Sequence, residues 1–313
     1  MERMGVLRMF ANIARHRPDC LLIASREIFE LPFLIFKALM GAPVVSLFHY
    51  VMRHSSWVAQ RSLPLNARVR ERISEALTVD LSDSIVVLSQ RERNILSNWY
   101  RTEGKDVHVI GNGIDPDECA SETTNKSDAG GPLQILALCP VSRPEKGLQY
   151  LLAEMESVKH ECELYVVGTG PGVAHSQLSR CVKMNLIPST SRASFLSMLR
   201  KADVFVSPSM YEPFSLAALE AMACGAVVIA SEETGMSILI EHGINGFIVP
   251  HGKRGAVAGV IDALAQDRRL LREAGLCARA AASERSWDKV SCEYYDLLLS
   301  VVRRAKGSQG AEG

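Results

Sequence analysis

Short, nearly unbroken apolar runs recur along the chain, separated by stretches in which apolar residues return every three or four positions. CLLIAS (20–25), PVVSLF (43–48), SIVVLS (84–89) and DVHVIG (106–111) form a first set of runs. QILALCP (134–140), ELYVVG (163–168), DVFVSPS (203–209), AVVIAS (226–231) and GFIVP (246–250) form a second. Runs this apolar fit parallel strands covered on both faces. Helical spacing over 146–158, 191–201 and 215–224 puts helices between them. Strands alternating with helices predict βαβ units and doubly wound sheets, an α/β fold.

One stretch interrupts the alternation. IGNGIDPDECASETTNKSDAGGP (110–132) has no apolar period and is rich in Gly, Asp, Ser and Thr, the composition of a linker. With 313 residues the chain has room for two domains. The expected division is 1–115, 116–286 and a closing segment 287–313, with the tail from 305 frayed. Ligands of open α/β sheets bind beyond the carboxyl ends of the strands. Chemistry is therefore expected in residues that directly follow the strands.

Charge narrows the classes. Lys and Arg number 35 and Asp and Glu 35, and this neutrality argues against a general nucleic-acid binder. Between 53 and 72, however, Arg53, Arg61, Arg68, Arg70 and Arg72 face only Glu71, with Trp57 among them. Two readings stand: a solvated helical face, or a surface for an anionic lipid or acceptor at a membrane. The eight cysteines are scattered without a C-x-x-C pair, which reads as reduced core thiols and a cytoplasmic setting. Arg3, Arg8, Arg15 and Arg17 break up any leader-like apolar start, and Lys37, Gly41 and two prolines interrupt 31–48, so neither a signal peptide nor a membrane span is expected. There is no H-E-x-x-H, no D-x-D flanked by hydrophobics and no serine nucleophile elbow, which sets aside metallohydrolases and α/β-hydrolases.

Four places could carry chemistry. In SPSMYEPFSLAALEAMACGAVVIAS (207–231) a strand ends, a loop bears Glu212, and a helix starts near Ser215. The amides of Phe214, Ser215 and Leu216 could hold an anion at that helix start. Glu212 and Glu220 are then either solvated charges or carboxylates aimed at hydroxyls or a positive reaction centre. In ILALCPVSRPEKGLQYLLAE (135–154), Lys146 opens a helix against its dipole, so it is either exposed or partnered by an anion such as a diphosphate, with Arg143 as a second cation. VVGTGPG (166–172) brings Gly168 and Gly170 after a strand, for a tight turn or for close approach to a ligand. His49 follows the strand PVVSLF; a lone histidine is more often structural than catalytic.

Together with HGINGFIVP (242–250) and RSWDKVSCEYYDLL (285–298), these blocks resemble the retaining glycosyltransferases of family 4 (glycosyl transferases group 1). The resemblance covers nearly all of 107–300, with the E-x7-E element from Glu212 to Glu220 its most specific part. It implies a GT-B fold, two Rossmann-like domains facing across a cleft, with the last helix crossing back to the first domain. It also implies transfer of a sugar from a UDP- or GDP-linked donor to a hydroxyl of a glycan or lipid-linked acceptor, as in polysaccharide or glycolipid synthesis, with no cofactor and no metal. Glu212 would lie at the donor sugar and His49 would touch it. Phe214, Ser215 and Leu216 would offer amides to the distal phosphate, Lys146 would neutralise the diphosphate, and Glu220 would hold the ribose hydroxyls. Arg143, Gly168 and Gly170 complete the expected donor site.

The chain also differs from the family's pattern. Val141 stands where an arginine is usual, Ile238 where a glutamate is common, and E-P-F-S replaces E-G-F-G, so Pro213 and Ser215 take the place of glycines. The chain opens at a segment similar to a later helix of the family, so a shortened first domain is expected, one that a protein partner would complete. Two rival readings follow: a catalytically weak nucleotide-sugar-binding subunit, and a GT-B epimerase or phosphorylase.

Overall fold

The computed structural model describes residues 15, 18–24, 41–51, 54, 65–119, 131–169 and 178–309, with the backbone alone at 65, 67, 68, 308 and 309. In chain order the elements are β1 (Leu21–Ile23), β2 (Val44–Phe48), α1 (Leu65–Leu81), β3 (Ser84–Val87), α2 (Gln90–Trp99), β4 (Asp106–Val109), α3 (Pro116–Cys119), β5 (Leu133–Leu138), α4 (Leu148–Met155), β6 (Cys162–Val167) and β7 (Val182–Ile187). Then follow α5 (Arg192–Lys201), β8 (Val204–Ser207), α6 (Leu216–Ala223), β9 (Val227–Ser231), β10 (Gly246–Val249), α7 (Ala256–Gln266), α8 (Arg268–Ser283) and α9 (Trp287–Gln309). They divide into two compact units, one drawn from Met1–Gly111 and Val290–Gly313, the other from Asn112–Lys289.

The first unit holds a parallel sheet in the order β1-β2-β3-β4. Val45 pairs with Ser84, and Val86 with His108. The Ser89 hydroxyl caps α2 by accepting from the Glu92 amide at 3.2 Å, the S-x-x-E pattern of a capping box. Helix α9 belongs to this unit from Val290 onward. Its Val290, Leu297 and Val301 share one face at helical spacing and pack with Val45, Val86 and Ile110. Arg304 donates to Asp106 at 2.6 Å and Lys306 to Asp19 at 2.9 Å. The expected fraying from 305 is thus corrected: the helix runs to Gln309, with no proline to stop it and an ion pair holding its last turns.

The second unit is a six-stranded parallel sheet in the order β10-β9-β8-β5-β6-β7. Leu133, Ile135, Leu164, Val204 and Ile229 form its core with Leu151 and Met155 of α4 and Ile261 and Leu264 of α7. Strand β7 is absent from the apolar runs of the sequence. As an edge strand it buries Val182 and Met184 while Lys183 between them is exposed, so its apolar signal is halved. Part of the stretch expected to be linker is built into the fold. Ile114 is buried and bridges Ser286, and Cys119 is buried at the end of α3; residues 120–130 lie outside the described ones. Glu154, 1 % exposed, accepts from the amides of Gly255, Val257 and Ala258 and so caps the start of α7 from the end of α4.

Candidate functional site

Strand β5 lies between β6 and β8, so the chain runs one way from β5 through β6 and β7 and resumes on the other side with β8. This reversal is the switch point of the sheet, where ligands of open parallel sheets bind. The loops after β5 and β8 adjoin there. Gly147 in the first loop has φ +75°, and a Cβ on it would overlap the carbonyl oxygen of Pro208 in the second. Only glycine admits that approach. The Met210 amide also donates to the Glu145 carbonyl at 2.8 Å, tying one loop to the other.

The result is a direct ion pair: the Lys146 ammonium donates to the Glu212 carboxylate, both side chains only 15 % exposed. Burial pulls the Lys146 pKa down to about 8, and the charge of Arg143 adds to the fall. The carboxylate contact opposes it. Lys146 does not open a helix as expected. It ends a 3₁₀ turn, Pro144–Lys146, and left-handed Gly147 separates it from α4. Arg143 precedes this turn and its Nε donates at 2.8 Å to Glu145, whose carboxylate is buried. The half-exposed guanidinium therefore offsets an internal charge.

The backbone of Glu212 is braced by the loop after β9. Its amide donates to the Glu233 carbonyl at 3.3 Å, and its carbonyl accepts from the Gly235 amide at 2.7 Å. Helix α6 starts three residues later. Ser215 is its N-cap, accepting from the Ala218 amide at 3.3 Å. Amides earlier in such a first turn have no intrahelical acceptor and suit an anion. Phe214 and Ser215 are buried, whereas Leu216 is 42 % exposed. Gly168, φ +94°, packs against Pro140; its carbonyl accepts from Val141 and its amide donates to Ile187. It joins the ends of β5, β6 and β7. Gly170 lies outside the described residues.

Glu220 is not a surface charge: it is 6 % exposed in α6 and accepts from Arg192 Nη1 at 2.7 Å. Arg192 also donates to Glu118 from Nε and Nη2, at 3.1 and 2.8 Å. Both carboxylates hold the guanidinium proton more tightly than usual, Glu118 first. Sequence reasoning missed Arg192. Its only local signal is the preceding Ser191, which caps α5. In the first unit His49 sits half-buried in the bend after β2, and buried Glu92 accepts from the nearby Val51 amide at 3.1 Å. The S-x-x-E capping pattern was a readable signal for Glu92, yet not for this second bond.

Of the basic segment, Arg70 and Arg72 lie exposed on α1 beside exposed Val69 and Ile73. Arg53, Trp57 and Arg61 lie outside the described residues, as does the side chain of Arg68. Val141 and Ile238, where the family pattern differs, are both about half exposed. Among the described residues no group of three or more His, Cys, Asp or Glu could hold a metal ion, and no helix is long and apolar enough to cross a membrane.

Two parallel-sheet α/β units of this kind are the GT-B fold, and solved structures share it. Sucrose-phosphate synthase from Thermosynechococcus elongatus matches with a TM-score of 0.76 at 20 % identity, over 96 % of this chain and 77 % of that one. HepE of Anabaena, in complex with UDP and glucose, matches with a TM-score of 0.72 at 20 % identity, over 94 % and 81 %. Residues 132–267 match the family model of glycosyl transferases group 1, and residues 3–118 that of glycosyltransferase family 4. The chain belongs to this glycosyltransferase family. Among curated relatives, D-inositol 3-phosphate glycosyltransferase of Xylanimonas cellulosilytica is 28 % identical over 254 residues, 74 % of this chain and 60 % of the relative. The chain thus spans about three-fifths of the length of that relative.

Proposed function

We propose that the chain transfers a sugar from a UDP- or GDP-linked donor to an acceptor hydroxyl, with retention at the anomeric carbon. The observation that carries the reading is the Lys146–Glu212 pair at the switch point of the second sheet, beside the start of α6. A cation and a helix start are what a departing nucleoside diphosphate needs as negative charge builds on its oxygen. Stabilisation of that growing charge acts more on the transition state than on the bound donor. Glu212 is the carboxylate at the sugar, and the donor diphosphate takes its place on Lys146. Glu220 meets the ribose hydroxyls, and the amides of Phe214, Ser215 and Leu216 take the distal phosphate. Lys146 and these amides fill the charge-neutralising role without a resident metal. The resemblance adds His49 as a catalytic residue. HepE, similar in fold, is solved with UDP and glucose, which supports a nucleotide-sugar donor. Exposed Arg70 and Arg72 beside Val69 and Ile73 favour a lipid-linked acceptor met at an anionic membrane surface.

The test is a thermal-stability titration with UDP- and GDP-sugars and with UDP and GDP alone. A ligand at about 100 times its dissociation constant stabilises by roughly 2.7 kcal/mol. One donor should stabilise selectively and then support transfer to an acceptor. Glu212→Ala should abolish that transfer while UDP or GDP still binds, and Glu220→Ala should weaken nucleotide binding. Normal turnover in both variants would remove the site assignment. Donor consumption without any acceptor would instead indicate an epimerase-like or hydrolytic reaction.

A further inference from the structure

We infer that Arg192, held by Glu118, is the positioning residue that aims the Glu220 carboxylate at the ribose diol of the nucleotide. The inference rests on the reading of Glu220 given above. Glu220 projects from a helix whose neighbouring Ala218, Leu219, Ala221 and Met222 are all buried, and it is itself 6 % exposed. An ionised carboxylate in such surroundings needs a charged hydrogen-bonding partner. Arg192 supplies it from the first position of α5, through Nη1 at 2.7 Å.

The orientation of that guanidinium is set elsewhere. Nε and Nη2 make a two-point fork with the two oxygens of Glu118, at 3.1 and 2.8 Å. Such a fork fixes the plane of the group, which a lysine cannot imitate. Glu118 in turn is held, because its carbonyl accepts from Arg200 Nη2 at 2.7 Å, and neighbouring Cys119 accepts at its carbonyl from the Cys224 thiol at 3.6 Å. Short helix α3 is thereby anchored to α5 and α6, and the chain of contacts ends on one oxygen of Glu220. With that oxygen engaged, the carboxylate is held in a single orientation before any nucleotide arrives. A diol that donates two hydrogen bonds then meets an acceptor already aligned, so less ordering is required on binding.

The experiment compares UDP with 2′,3′-dideoxy-UDP by calorimetry on the full chain. The wild type should prefer UDP. Arg192→Ala should weaken UDP by about tenfold, the scale of one hydrogen bond to a charged group, and leave dideoxy-UDP unchanged. Arg192→Lys should fall between, because it keeps the charge and loses the fork; it serves as the readout if the alanine variant melts early. Combining Arg192→Ala with Glu220→Ala should add nothing to Glu220→Ala alone. Equal weakening of both ligands would reduce Arg192 to a structural residue and overturn the inference, as would unchanged UDP affinity in both Arg192 variants while Glu220→Ala is impaired. A wild type that binds the two ligands alike would overturn the ribose reading beneath it.

Discussion

Lys146 is where residue chemistry and function meet most directly. Its ordinary pKa of 10.5 falls to about 8 because its ammonium is buried beside Arg143. A bound diphosphate favours the charged form and so raises that value. Affinity for UDP should therefore be flat below pH 8 and weaken as pH rises through 8, because binding must then take up a proton. Calorimetry from pH 6.5 to 9.5 checks this, and Lys146→Gln should bind weakly and without that pH dependence. Stability follows the opposite course. Between about 8 and 10.5 the unfolded chain holds a proton on this lysine that the folded chain lacks, so this residue contributes rising stability with pH across that window. At this scale much was legible. Glu212 and Glu220 stood out by their spacing around a strand–loop–helix, because a carboxylate in that setting asks for a partner. Arg192 did not stand out, because its partners lie 28 and 74 residues away and no local pattern marks them.

At the scale of elements, the two loops of the site are held by backbone features rather than by the charged pair alone. Gly147→Ala should force the 3₁₀ turn away from Pro208 and carry Lys146 with it. The expected outcome is a lower melting temperature together with a loss of UDP affinity at least as large as that of Lys146→Gln. Glu154 offers the contrast. Its replacement by alanine removes the acceptor of three amides at the start of α7, which should cost about 2 kcal/mol or more. UDP affinity should stay unchanged, since this carboxylate stabilises a helix at a different place. Denaturant melts with and without UDP separate the two cases. The helix of the site was readable almost to the residue, since Ser215 and Gly225 bracket it as cap and stop. The turn at Lys146 was misread as a helix start because Pro144 and Gly147 make a separate short turn that periodicity averages over.

For the whole molecule, the first unit depends on residues nearly two hundred positions from its strands. Leu297 of α9 packs with Val45 and Val86, so Leu297→Ala should cost the first unit about 2–5 kcal/mol. In a melting experiment the affected transition should be the one that UDP does not shift, because the nucleotide residues proposed here belong to Asn112–Lys289. What the sequence determined by itself is the alternation of buried strands and amphipathic helices, which follows from local periodicity and from strands covered on both faces. It also determined the chemical types available after each strand, because a strand's carboxyl end is marked by where its apolar run stops. Only the tertiary structure decided which of those ends are neighbours. Lys146 and Glu212 are 66 residues apart and meet because β8 pairs with β5 rather than with β7, its predecessor in the chain. Strand order is chosen by how crossover helices pack on the two faces of a sheet, a property of the assembled core that no window of sequence contains.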